Sequence, residues 1–368
     1  MQSIIPKMLL CALVVTATCA SAKDQIQPAP RAVDLVIALD VSGSMSGLID
    51  SAKQRLWDVV NELERAQPQP DLRVAILSYG NPSYGVESGY VRIDQPLTRD
   101  LDAISQRLFS FTTNGGAEYV ARTVHRALES LQWSTGPDAM RLMFVAGNES
   151  AEQDPELSTQ DVLASAAQAG VIVNAIYCGG ENDTDAAGWR QVAVVGHGTY
   201  ASIDQNADAV VEIETPMDTK LAELNKALNE TYVAYGDEGE RGKANQLEQD
   251  ENASEMSLWA AASRIIAKAG EYYDSARWDL IDAFESGKEV KEEDLPEVMK
   301  PMSPQEREAY VAEQSGRRSA LREEIAAVAA ERRDYLADQA TNDHEDGLDA
   351  ALVGGVKKVA EAQGFTFE

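Results

Sequence analysis

What most constrains this chain is a repeated alternation of short apolar runs with segments of helical periodicity, kept up over about 170 residues. Residues 33–40 (VDLVIALD) form a continuous apolar run that ends in an acid. That pattern predicts a central strand buried on both faces. Residues 73–79 (RVAILSY), 141–146 (RLMFVA) and 171–177 (VIVNAIY) repeat it, and 90–93 and 199–203 read as shorter strands. Between them, 48–65 carries Ile49, Ala52, Leu56, Val59, Val60 and Leu63 at helical spacing and is stopped by Pro68 and Pro70. Further helices are predicted over 101–108, 118–131, 162–169 and 186–194. The expected fold class is therefore α/β, a Rossmann-like unit with a mostly parallel central sheet and helices on both faces, followed by an α-helical C-terminal region.

The ends of the chain read differently. Lys7, an apolar stretch over 8–17 and the small-x-small triplet Ala20-Ser21-Ala22 have the form of a signal peptide cut after Ala22. Export to a periplasm is expected, with full secretion as the alternative, and no later stretch is apolar enough to insert into a membrane. A lipoprotein reading on Cys19 fits less well, because Thr16-Ala17-Thr18 lacks the usual apolar residue. Cleavage would leave Cys178 as the one cysteine, a small buried residue at the end of a strand, so stability must come from packed cores. A spacer at 23–31 leads into the sheet domain at 32–235. A polar, glycine-containing connector is expected at 236–252 (GDEGERGKANQLEQD at its start) and a helical region at 253–368. In that region Met256, Trp259, Ile266, Ala269, Tyr273, Ala276, Leu280 and Phe284 recur at three- and four-residue steps, predicting one helix of about 30 residues. Ser303-Pro304-Gln305-Glu306 is a capping box that opens a second long helix to about residue 338, and a third is expected over 348–362.

Charge narrows the partners. With 61 acidic against 32 basic residues and a net charge of -29, the chain has no basic face to displace counterions from a nucleic acid or to hold an anionic membrane. The enzymatic inventory is thin. The three histidines, His125, His197 and His344, form no metal-ligand pair at helical spacing. The stretch Gly43-Ser44-Met45-Ser46-Gly47 has methionine where a hydrolase elbow needs serine. Asp40 on an α/β sheet could accept a phosphoryl group, but Ser42 stands where phosphatases of that type place a second acid.

The chemically informative segment is Asp40-Val41-Ser42-Gly43-Ser44-Met45, at the carboxyl end of the first strand. One carboxylate and two hydroxyls at alternate positions of a tight turn offer hard oxygen donors, suited to Mg²⁺, Mn²⁺ or Ca²⁺. Here the chain resembles the von Willebrand factor A domain family, whose metal-ion-dependent adhesion site begins D-x-S-x-S, and the resemblance extends over roughly residues 32–234. It implies a protein-binding module without catalysis, with Asp40, Ser42 and Ser44 at a divalent-cation site. It also implies a threonine from the second loop, Thr113 or its neighbour Thr112, and a protein partner that completes the site with an acidic side chain. The family's third-loop aspartate is absent, since Gly147-Asn148-Glu149 stands in its place, and Glu118 and Glu149 are the candidates to supply the missing charge. The competing readings are a metal-dependent hydrolase or phosphatase, and a structural envelope protein whose metal site is degenerate.

Overall fold

The structure, a computed structural model, describes residues 30–203, 214–339 and 348–367. The leader-like residues 1–22, most of the spacer and His344 lie outside them. The first part of the chain runs β1 (Ala32–Asp40), α1 (Ser46–Glu64), β2 (Ala66–Gln67), β3 (Asp71–Tyr79), β4 (Val91–Thr98), α2 (Leu101–Phe109), α3 (Val120–Ser130), β5 (Met140–Gly147), α4 (Thr159–Gln168), β6 (Val171–Tyr177), α5 (Ala186–Val195) and β7 (His197–Ser202). There follow α6 (Asp218–Asn229), α7 (Gly239–Met256), α8 (Leu258–Ala269), α9 (Leu280–Glu285), α10 (Pro304–Gln339), α11 (Leu348–Ala362) and β8 (Thr366–Phe367).

The main sheet has the order β4-β3-β1-β5-β6-β7. β1 pairs in parallel with β3 on one side and β5 on the other, so its apolar run is enclosed by neighbours as well as by both faces. Only β4 is antiparallel, and as an edge strand it tolerates Pro96, which has no N–H to give to a ladder. It runs longer than the predicted 90–93. Alternate β1 residues go to opposite cores. Leu35, Ile37 and Leu39 join residues of α1, α2 and α11, while Val36 and Ala38 join Val124 of α3, Leu163 of α4 and Trp189 of α5. A parallel sheet is covered on both faces, as expected, but part of the cover comes from the far end of the chain. Leu352, Val356, Val359 and Ala360 of α11, with Phe365 beyond it, belong to the same core as α1. β8 then pairs with β2 just past the end of α1.

Two expectations for the C-terminal part need correction. The stretch read as a connector is largely helix α7, in which Gln246 and Gln249 are fully buried although polar. The single helix expected over 256–284 is two, α8 and α9. The first ends at Gly270, which is in extended backbone, and a side chain there would collide with the carboxylate of Glu64, which accepts the N–H of Glu271. Asp279 restarts the helix by capping Asp282 N at 2.9 Å. The capping box at Ser303 is present in both directions, Ser303 N to Glu306 Oε2 at 2.7 Å and Glu306 N to Ser303 Oγ at 3.4 Å.

α7 and α8 are tied to the sheet unit by buried charges. Arg264 meets Asp102 of α2 at 2.5 Å and Asp250 of α7 at 3.0 Å, while Lys268 reaches the other oxygen of Asp250 at 2.5 Å. The guanidinium of Arg264 also lies over the Trp57 ring at 4.5 Å. Asn225 and Asn229 donate to Asp250 as well. Burial pushes the carboxyl of Asp250 up, but Lys268 and Arg264 pull it further down, well below the ordinary carboxylate range.

A group whose folded-state affinity for protons is depressed stabilises the fold above its unfolded-state pKa and loses that contribution as pH falls through the folded one. Stability should therefore hold at pH 5 and above and decline below about pH 4. Asp250→Asn, which leaves Arg264 and Lys268 with one counter-charge fewer, should cost about 3–5 kcal/mol at neutral pH in urea unfolding and flatten that acid limb. A loss under 1 kcal/mol would mean that the cluster contributes little to holding α7 and α8 on α2.

Candidate functional site

The site lies beyond the carboxyl ends of β1 and β3, where open α/β sheets bind ligands. Asp40 closes β1 and is fully buried, opposite Tyr79 in register. One of its oxygens, Oδ1, accepts the N–H of Ser42 at 2.7 Å, which folds the turn back on itself. Ser42 is buried, and its Oγ lies 3.3 Å from that of Ser44, which is exposed at the rim. The two hydroxyls of the motif therefore lie side by side.

Glu118, just before α3, is the acid that the fold brings to this turn. It is 4% exposed, and a side chain on Gly80 would touch Asp40 Oδ1 at 2.6 Å and Glu118 Cγ at 3.0 Å, which sets all three around one small space. Gly80 has a φ of 83°, so glycine is required there both for its backbone and for the room it leaves. Asp40 Oδ2 and Glu118 Oε2 are both buried without a hydrogen-bond partner. Two carboxylates cannot satisfy each other unless a proton or a cation lies between them. Burial accordingly pushes both upward, and Glu118 goes further because the Asp40 charge adds to the effect. A cation with oxygen preference fits this donor set of two orphaned carboxylate oxygens beside two hydroxyls. Among the described residues there is no group of three or more His, Cys, Asp or Glu placed to hold a metal, so the hydroxyls would be integral to any such site.

Thr112 and Thr113 lie exposed on the loop between α2 and α3. That loop is pinned to the Asp40 turn by Asn114 N, which donates to Val41 O at 3.0 Å. Neither threonine is brought into hydrogen bonding with the serines. Glu149 is exposed on the third loop, and its charge raises the proton affinity of both Asp40 and Glu118. The missing aspartate has a steric explanation. A Cβ at Gly147 would lie 2.5 Å from the hydroxyl of Tyr79, which donates to Ala146 O at 2.9 Å and fills that space. The next residue, Asn148, donates its amide to Ser44 Oγ at 3.0 Å. Tyr79, Gly80 and Asn148 are site residues that the sequence reading did not single out. The pair Tyr79-Gly80 at the end of an apolar run was the available signal.

Other candidate groups fall away from this centre. Cys178 is buried, and burial together with the charge of Asp40 raises its thiol far above the ordinary range, which makes it inert. His125 sits half-exposed on α3, 3.4 Å from Glu129. His197 is exposed at the start of β7.

Gly80→Ala should cost about 1–3 kcal/mol in urea unfolding, from positive-φ strain and contact with Asp40. Gly147→Asp, although it restores an acid typical of the resembled family, should destabilise by a similar amount, and the loss should shrink when Tyr79 is also replaced by Ala. A Gly147→Asp chain as stable as the original would show that Tyr79 does not hold that space.

Residues 34–216 match the family model described as von Willebrand factor type A domain. A sequence comparison with curated proteins finds no match. Among solved structures, proximal thread matrix protein 1 of the mussel byssus is 12% identical with a TM-score of 0.37, over 47% of this chain and 41% of that one. An aerotolerance-related membrane protein of Bacteroides fragilis is 18% identical with a TM-score of 0.33, over 48% of this chain and 94% of that one. The pilus adhesin of Lactobacillus rhamnosus GG is 14% identical with a TM-score of 0.37, over 48% and 28%. The match thus spans about two-fifths of the mussel protein's chain. The D-x-S-x-S turn, the sheet that carries it and the family match agree, and the chain carries a von Willebrand factor type A domain over residues 34–216.

Proposed function

We propose that this chain is an exported, non-catalytic recognition module that binds a protein partner through a divalent cation at the Asp40 turn. The observation that carries the reading is the pair of buried, unpartnered carboxylate oxygens, Asp40 Oδ2 and Glu118 Oε2, beside the hydroxyls of Ser42 and Ser44. Asp40, Ser42, Ser44 and Glu118 would hold Mg²⁺, Mn²⁺ or Ca²⁺, and Thr113 is the donor that the adjacent loop can add. The bound cation supplies positive charge for an oxygen of the partner. Glu118 takes the part that the third loop leaves vacant, since Tyr79 excludes a side chain at Gly147. Asn148 keeps Ser44 oriented by hydrogen bonding.

An acidic side chain is the partner chemistry that suits an ion left with unfilled positions, and by linkage ion and partner strengthen each other's binding. The proposed location is the periplasm, with secretion as the alternative, on the leader-like character of residues 1–22. No described helix is long and apolar enough to cross a membrane.

Calorimetric titration with Mg²⁺ and Mn²⁺ should give saturable binding in the full chain, weakened at least tenfold in Glu118→Gln and in Ser42→Ala/Ser44→Ala, with circular dichroism unchanged. Partner capture from an extract should fall on chelation and return with Mn²⁺. Absence of cation binding, or capture indifferent to chelator and to these substitutions, would move recognition to another surface. Hydrolysis of small phosphate or ester substrates that disappears in Asp40→Asn would overturn the non-catalytic part.

A further inference from the structure

The loops at the carboxyl edge of the main sheet carry acids and no bases. They span residues 41–45, 80–90, 110–119, 148–158 and 178–185, and none contains a lysine or an arginine. The arginines of the sheet gather at the opposite edge. Arg31 precedes β1, Arg73 and Arg141 lie near the starts of β3 and β5, and Arg99, just past β4, pairs with Asp71 at 2.5 Å.

Glu87 lies in the loop after β3, Glu149 and Glu152 in the loop after β5, and Glu181 and Asp183 in the loop after β6, all of them exposed. Among the described residues none of these five takes part in an ion pair. Arg122 of α3 reaches in from the side, but Asp154 and Glu156 take it at 2.8 and 2.9 Å. Arg190 of α5 donates to the backbone carbonyl of Glu181 at 2.6 Å, not to its carboxylate. The strand order β3-β1-β5-β6 sets the five acids on both sides of Asp40. Neighbouring strands lie about 4.8 Å apart, so the ends of β3 and β5 stand about 5 Å and that of β6 about 10 Å from the end of β1. Those separations are comparable with the screening length of about 8 Å at physiological salt, so the loop charges act together over the turn. Glu149 does so visibly, since its charge raises the proton affinity of Asp40 and Glu118.

An acidic rim alone calls for no ligand. This one surrounds two carboxylate oxygens, Asp40 Oδ2 and Glu118 Oε2, that are buried without a partner on side chains 0% and 4% exposed. The charges then constrain what a partner can present. A divalent cation at Asp40 and Glu118 is fully offset by those two acids. A carboxylate arriving from a partner therefore brings a surplus negative charge into a rim of unpaired acids, and positive groups beside that carboxylate are what offsets the repulsion.

We infer that the partner of the Asp40 turn presents a basic surface in which one aspartate or glutamate stands among lysines or arginines, the acid meeting the cation and the bases meeting the loops after β3, β5 and β6. The inference rests on the cation reading proposed above and adds the chemistry that surrounds the coordinating acid. A uniformly acidic partner would meet the rim at contact as well as on approach. A partner acid set in a neutral surface would leave the rim acids unanswered.

The test is titration of the full chain, in saturating Mn²⁺, with three labelled peptides followed by fluorescence anisotropy. One is lysine-rich with a single central aspartate, the second has glutamine in place of each lysine, and the third is the lysine-rich peptide with asparagine in place of the aspartate. In about 0.1 M salt the first should bind at least tenfold more tightly than either of the others. In about 1 M salt, where the screening length falls to about 3 Å, its advantage over the glutamine peptide should shrink to about threefold or less. Glu87→Gln/Glu152→Gln/Glu181→Gln, at exposed positions outside the cation site, should cancel most of the preference for lysine while thermal unfolding and binding of the glutamine peptide stay unchanged. Equal affinity for the lysine and glutamine peptides, with aspartate and Mn²⁺ still required, would overturn the basic-partner inference and leave the cation reading standing. Lysine peptides that bind alike with aspartate or asparagine, and in the presence of chelator, would overturn both, since bulk attraction to a polyanion would then account for the binding. No saturable binding by any of the three would overturn the inference, and titration with the cation alone decides the cation reading separately.

Discussion

The structure depends on β1 being enclosed from four directions. Two parallel neighbours take its backbone hydrogen bonds, and two helical layers take its side chains. Each buried aliphatic side chain there contributes about 1.5–3 kcal/mol, so leaving one face open would cost more than a typical domain can lose. That requirement explains why the chain returns from its far end to place α11 beside α1. It also explains the chemistry at the end of the strand. Asp40 stands where enclosure is nearly complete, so its carboxylate has little water to lean on, and whatever lies next to it must compensate.

Compensation by neighbours recurs through the molecule. Asp250, Arg264, Lys268 and Asp102 offset one another's charge at the seam between α2 and the helical region, and Arg318 does the same for Asp279 and Asp282 at 2.6 and 2.5 Å. Such clusters add less net stability than apolar packing, but removing one member leaves an unpaired buried charge, so they are exacting about which helix goes where. The Asp40 and Glu118 pair differs from both because it brings two like charges together with no basic residue between them. Among the described residues the other buried acids, Asp34, Asp102, Asp218, Asp279 and Asp282, each have an arginine partner, which leaves this pair for a proton or a metal ion.

How much of this was readable depends on which residues are inside. The strands were legible because 35–39, 142–146 and 171–173 are runs of consecutive apolar residues, and only a two-sided core asks for that. The D-x-S-x-S turn was legible by spacing. α7 was not, because Gln246, Gln249 and Asp250 are polar yet buried, so hydropathy marks its inner face as solvent-facing. The break at Gly270 was hidden for a related reason, since the Glu64 carboxylate that takes the N–H of Glu271 just past it is distant in sequence. At the site, Glu118 could be named as a candidate from its loop, but its closeness to Asp40 depends on Gly80, and the empty third-loop position depends on the Tyr79 hydroxyl. Both are contacts between segments far apart in sequence, which no single segment encodes.

The chain's acidity bears on the proposed recognition in two opposing ways. A net charge of -29 draws cations toward the protein and raises their concentration at a mouth lined by carboxylates, which favours loading the Asp40 turn. The same field repels an acidic partner at long range. The two effects act over different distances, since the field of the whole surface is screened within about 8–10 Å at physiological salt, whereas the ion acts at contact. An acidic partner therefore meets repulsion during approach and attraction only after an ion is in place. On this reading the cation gates access as well as contributing affinity, and acidic proteins that do not direct an oxygen into the Asp40 turn are turned away by the remainder of the surface.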